Sequence, residues 1–135
     1  MDLMKSMKIS ASGMKAQGLR LRVIAENIAN ADSTAQSPGS QPYRRKLVTF
    51  ANTLDRALGA ELVHVKGITG DTSDFGRRYE PGHPAADDEG YVLISNVNSL
   101  IEMSDMREAQ RSYEANLKVV QASRAILQQT VELLR

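Results

Sequence analysis

Few side chains in this 135-residue chain have the types and spacing to do chemistry. Ser12 and Lys15 fit S-x-x-K, in which a lysine activates a serine nucleophile. No K-T-G or S-D-N follows, and the tetrapeptide lies in a stretch patterned as an amphipathic helix. His83 with Asp87, Asp88 and Glu89 offers imidazole and carboxylate ligands in one loop. The spacing is not that of a calcium loop, and two histidines cannot build a His-rich zinc site, so a solvated turn is expected. His64 alternates with Val63 and Val65, which places it on the polar face of a strand. Arg44, Arg45 and Lys46, behind Tyr43, are the densest basic cluster. Three cations beside one aromatic fit a strand edge or a protein-contact patch better than a nucleic-acid site. Glycine-rich phosphate loops are absent, and nothing assembles nucleophile, base and orienting group. The chain reads as no enzyme, with no cofactor, no metal and no nucleic-acid partner.

The elements that would position these residues are mostly helical. Residues 99–135 contain no Gly and no Pro, and a row of Met103, Met106, Tyr113, Leu117, Val120, Leu127, Val131 and Leu134 recurs at helical spacing. Ser99 with Glu102 has the form of a capping box. Such a helix would be roughly 54 Å long, whereas a compact domain of this chain length has a radius of gyration of about 14 Å. It needs a partner along its length. Residues 1–30 read as a second helix, with Met7, Met14, Leu21 and Ile28 recurring at seven beside a row of Ala11, Gly18 and Ala25. Small residues in such a row let another helix approach closely. Gly18 is read as a close-packing position, with mere tolerance as the other reading.

Both helices carry apolar residues on a second face: Ile9, Ala16, Leu19 and Val23 on the first, and Ala115, Val119, Ala122, Ile126 and Leu133 on the last. A two-helix hairpin has one buried seam and a wet outside. Second stripes therefore want either cover from the middle segment or neighbouring molecules, and the middle segment looks too short. Ile9, Leu19, Val23, Val119, Ile126 and Leu133, with Arg44, Arg45 and Lys46, are the candidate contacts between subunits. Residues 31–42 are polar and rich in Gly, Pro and Ser, so they read as a loop. Strand signals follow at 47–50, 62–68, 75–79 and 91–95, which suggests one small antiparallel unit.

The fold expected is mainly α with a small β insertion. Two long terminal helices pair as an antiparallel coiled coil (1–30 and 99–135), and 31–98 form a loop plus a β-rich middle segment. The intramolecular seam sets Met7, Met14, Leu21 and Ile28 against Met106, Tyr113, Leu117, Val120, Leu127, Val131 and Leu134. Aromatics are scarce and cysteine is absent, so no large core and no disulfide is expected. No apolar run approaches the roughly 20 residues of a membrane span. Lys5 and Lys8 have no apolar stretch behind them, so no cleaved signal is expected either.

The run from Ser12 to Asn30, above all Ala16-Gln17 and the closing Asn27-Ile-Ala-Asn30, resembles the N-terminal signature of bacterial flagellar rod, hook and hook-associated proteins. That pattern usually continues into a Thr-x-Gly-Tyr turn. Here Asn30-Ala-Asp-Ser-Thr34 leads instead through a longer insert to Pro42-Tyr-Arg-Arg-Lys46, a departure similar to proximal-rod members of the flagellar basal-body rod family. Residues 79–84, 87–91, 96–98 and 102–116 resemble the same members. The resemblance implies export without a cleaved signal through the flagellar type III apparatus. It further implies stacking with other copies and with other rod subunits, from the rod base to the distal rod, into a hollow torque-bearing shaft across the periplasm. A soluble coiled-coil adaptor or export chaperone is the other reading that the helices allow.

Overall fold

The computed structural model describes residues 2–135; Met1, the first position of the helix expected over 1–30, lies outside the described residues. In order come α1 (Leu3–Ala29), β1 (Lys46–Asp55), β2 (Ala60–Gly70), β3 (Gly76–Tyr79), β4 (Tyr91–Ile94) and α2 (Ser99–Leu133). They divide into two compact units, and the helices and β1 and β2 run through both.

The first unit comprises Met1–Leu21, Thr49–Gly67 and Arg107–Arg135. The helices run antiparallel in it: Gly13 packs against Asn116, and Arg20 Nη1 reaches Glu108 Oε1 at 3.7 Å. A Cβ at Gly13 would come 2.9 Å from Asn116 Nδ2, whereas nothing lies within 4 Å of one at Gly18. The close-packing glycine is therefore Gly13, at its contact with Asn116, while the open space at Gly18 fits the other reading, tolerance within the helix. Strands β1 and β2 form a hairpin. Its turn is built by Asp55, whose Oδ1 accepts hydrogen bonds from the Ala57 and Leu58 amides at 3.0 and 3.1 Å. Gly59 closes it at φ +64°, a left-handed conformation that glycine adopts without a steric penalty.

The second unit comprises Arg22–Val48 and Ile68–Met106. β3 and β4 pair antiparallel, with Gly76 opposite Ile94 and Tyr79 opposite Tyr91. Residues 33–35, expected as free loop, run beside β4: the Ala35 amide donates to Leu93 O at 3.2 Å and the Ser95 amide to Ser33 O at 3.0 Å. Ala35, Ala85 and Val92 form a small buried cluster there. The single β unit expected from the sequence is thus two separate two-stranded sheets. The break lies at 71–75, where the backbone is held by side chains rather than by a third strand. Arg44 Nη1 donates to Asp71 O and Ser73 O, and Asn96 Nδ2 donates to the same two carbonyls.

Helix α2 starts differently from the expected capping box. Asn98 Oδ1 accepts from the Leu100 and Ile101 amides at 3.0 and 3.4 Å, so Asn98 is the cap. Glu102 turns inward and is 1% exposed.

Candidate functional site

The second unit is knotted around Asn27, Arg45 and Glu102. Asn27, near the end of α1, spends both donors and both lone pairs inside the chain. Its Nδ2 donates to Lys46 O (2.9 Å) and to Glu102 Oε2 (3.2 Å), and its Oδ1 accepts from Tyr43 Oη (2.8 Å) and the Lys46 amide (3.0 Å). Arg45 Nε donates to Glu102 Oε1, Nη1 to Asp71 Oδ2 at 3.1 Å and Nη2 to Asp105 Oδ2 at 3.4 Å. Burial works to lower the Arg45 pKa, but the hydrogen bonds it donates to Glu102 and Asp71 prevail and hold it above the ordinary value. The Asp71 carboxyl is held below the usual range, first by the Ser73 amide, then by the Ser73 hydroxyl and by Arg45. A charge as deeply placed as Glu102 is tolerated only because both of its oxygens are paired. One asparagine, one arginine and one glutamate thereby tie the end of α1, the start of β1 and the first turn of α2 into one joint.

Each residue of the basic cluster has a partner within the second unit. Arg44 lies over the Phe75 ring at 4.3 Å and Arg45 is in the buried network. Lys46 Nζ pairs with Glu26 at 3.1 Å, and that hydrogen bond raises its pKa. Arg44 and Arg45, expected at a subunit contact, are engaged inside the chain, because the segment after Tyr43 passes between carboxylates that the sequence keeps far apart. Val23, also expected at a subunit contact, is 2% exposed and buried within its own unit.

In the first unit the hairpin lies along α1. Ala16 is buried, and Leu19 lines a cleft of about 790 Å³ with Leu62, Val63 and Val65, rimmed by Lys15 and Asp55. The second stripe of α1, expected to need another molecule, is partly covered here by its own chain. The reason is length: strands of ten and eleven residues reach roughly 35 Å, most of a long helix. Ile9 stays exposed. Met7, Met14 and Leu21 of the expected seam are half-buried, as is Ile28 in the second unit.

Helix α2 carries the unpartnered surface. Tyr113, Leu117, Val120 and Leu127 are half-buried in the first unit, and Met106 is half-buried in the second. Val131 and Leu134 continue that row but are 60% and 83% exposed. With Gly13 opposite Asn116 and Arg20 opposite Glu108, the pairing runs out near Ile126, where α1 begins. The last two turns of α2 have no α1 beside them, so Val131 and Leu134 are not part of a seam within this chain. On its other face Val119, Ile126 and Leu133 are exposed, Leu133 at 87%.

Ser12, His83, Asp87 and His64 are engaged in structural hydrogen bonds. The Ser12 hydroxyl donates to Ile9 O at 2.7 Å and accepts from the Val63 amide at 3.3 Å, tying α1 to β2. His83 Nδ1 accepts from the Ala85 amide at 3.0 Å, which leaves Nε2 to donate to Thr34 Oγ1 at 3.2 Å. Asp87 Oδ1 accepts from the Glu89 and Tyr91 amides, closing the 80–90 loop. His64, on the exposed side of β2, meets Thr53 Oγ1. Sequence spacing alone does not single out Asn27 or Glu102 as the joint: the signal for Asn27 is its place in the Asn-Ile-Ala-Asn run, and Glu102 reads as part of a cap.

Residues 7–35 match the family described as flagella basal body rod protein, and residues 88–133 match the C-terminal region of the flagellar basal body rod FlgEFG proteins. These stretches hold Asn27 and Glu102; Arg45 lies between them. Over 128 residues the chain is 53% identical to the flagellar basal-body rod protein FlgC of Agrobacterium fabrum, covering 95% of this chain and 92% of that one. It is 39% identical over 135 residues to FlgC of Salmonella typhimurium (98% of each chain). With FlgC of Bacillus subtilis it shares 36% over 148 residues (98% of this chain, 99% of that one).

Proposed function

The chain belongs to the FlgC family of flagellar basal-body rod proteins, and from that premise we propose that it is a subunit of the proximal rod, completing a hollow, torque-bearing shaft by packing its terminal helices against neighbouring subunits. Members of this family are structural rod proteins rather than enzymes, they assemble with other rod subunits, and their place is the flagellar basal body.

The observation that carries the finer reading is the uncovered apolar surface of α2. Val119, Ile126, Val131, Leu133 and Leu134 lie open to solvent. The side chains that are buried are mostly small or polar: Ser10, Ala16, Ala109 and Ser123 in the first unit. Burial of such groups contributes little at about 25 cal/mol per Å², while ordering the helix backbone costs about 1–2 kcal/mol per residue. A chain of this kind is loose enough to pass unfolded through a narrow export channel and gains rigidity when neighbours cover α2.

In this reading residues 1–30 and 99–135 form the antiparallel coiled-coil domain and 31–98 the middle segment. Export runs through the type III apparatus without a cleaved signal. The contacts are other copies of the chain and rod subunits toward the base and the distal end, within the periplasm and without insertion into the membrane. Many modest contacts repeated around a lattice add through effective concentration, which is how weak pairwise surfaces make a stiff shaft. Replacing Val119 and Ile126 together by Asp tests the proposal. Neither side chain is buried, so the monomer should unfold as before, while basal bodies lack complete rods and cells do not swim. Normal swimming would refute the packing role of this face.

A further inference from the structure

Helix α2 overhangs, and the same unit carries an apolar cleft. The overhang is residues 127–135, of which 127–133 make roughly 10 Å of helix. It presents Leu127, Val131 and Leu134 on the face that elsewhere meets α1. It cannot fold back onto its own chain, because α2 is continuous to Leu133. The cleft lies between α1 and the hairpin, walled by Ala16, Leu19, Leu62 and Val65. At about 790 Å³ it is within the roughly 300–1,000 Å³ that enclose whole drug-sized ligands.

The charges at the two places are complementary. Lys15 stands at the rim of the cleft without an ion-pair partner among the described residues, and Asp55 uses Oδ1 in its turn and leaves Oδ2 open. The overhang carries Glu132 and Arg135, likewise unpaired among the described residues. We propose that the overhang of one copy seats in the α1–hairpin cleft of a second copy, with Glu132 toward Lys15 and Arg135 toward Asp55. The two surfaces are different parts of one molecule, so the contact is head-to-tail. Such contacts propagate instead of closing into a dimer. A contact this small falls well short of the roughly 1,600 Å² of a stable complex, so it holds only where further lattice contacts accompany it.

This inference rests on the rod-subunit reading, and the test separates the two. The chain has no cysteine, so Leu62→Cys with Leu134→Cys introduces the only thiols. The variant replaces the resident subunit in a motile host, and purified basal bodies are oxidised and run without reductant. A ladder at multiples of the chain's mass is expected. It should vanish with either thiol alone and with Leu62→Cys plus Leu133→Cys, because Leu133 points away from the overhang's inner face. A cross-link to a protein of another mass overturns the second copy as occupant. No ladder in a motile strain whose basal bodies contain the chain overturns the inference and leaves the rod reading standing. Absence of the unmodified chain from basal bodies sinks the rod reading itself. Should the thiol pair fail to assemble, charge reversal decides. Lys15→Glu and Glu132→Lys should each reduce swimming, and together restore it; within one copy the two positions are roughly 27 Å apart along the helix pair, so rescue requires two copies. No rescue overturns the inference.

Discussion

Replacing Glu102 by Ala should unfasten the second unit. The side chain is 1% exposed, and its two oxygens accept from Arg45 Nε and Asn27 Nδ2. Truncation leaves the Arg45 guanidinium with Asp71 and Asp105 alone, and leaves one Asn27 donor without a partner in a dry site. Breaking a buried pair by removing one member costs about 3–5 kcal/mol. Asp71 and Asp105 compensate part of that for Arg45, so a loss of about 3 kcal/mol is expected, near the lower bound. For a chain of this size 1 kcal/mol corresponds to roughly 3–4 °C, so the melting midpoint followed by circular dichroism should fall by about 10 °C. Asp105→Asn is the internal comparison: its 3.4 Å contact is at a partly exposed carboxylate, and such pairs contribute about 1 kcal/mol or less. If the two substitutions lower the midpoint equally, or if Glu102→Ala lowers it by less than about 3 °C, the buried network is not the joint described above.

Other expectations follow from single contacts. Gly18→Ala, with open space around the new methyl, should stabilise the chain by up to about 1 kcal/mol. Gly13→Ala, whose Cβ would press on Asn116 at 2.9 Å, should show no such gain; equal gains in urea unfolding would refute the assignment of Gly13 to the helix contact. Because the Asp71 pKa is depressed in the folded chain, its ionised form contributes stability above the unfolded carboxylate value of about 4 and loses it as pH falls through the lower folded value. Acid unfolding of Asp71→Asn should therefore be less steep below about pH 4 than that of the unchanged chain; coincident acid limbs would contradict the hydrogen-bonding assigned to Asp71.

Much of this was legible in the residues. The two helices announce themselves by apolar residues recurring at helical spacing, and the second apolar stripe of α2 is exposed. How far the stripe of α1 is covered is not legible in the residues, because strand signals show where a hairpin begins, not how far it extends: β1 and β2 outrun the runs 47–50 and 62–68 at their ends. Gly13 and Gly18 are indistinguishable by period alone, since a shift of one helix face requires knowing where the partner lies. Arg45 is the clearest case. Three consecutive basic residues read as a surface patch, and only the fold brings Glu102, Asp71 and Asp105 to one of them.

Hydrogen exchange of α2 amides in the free chain and in purified basal bodies tests the central claim most directly, that this helix is ordered by its neighbours. The account predicts rapid exchange over 119–134 in the free chain and strong protection of the same amides in the assembled rod. Protection already complete in the free chain, unchanged on assembly, would contradict it.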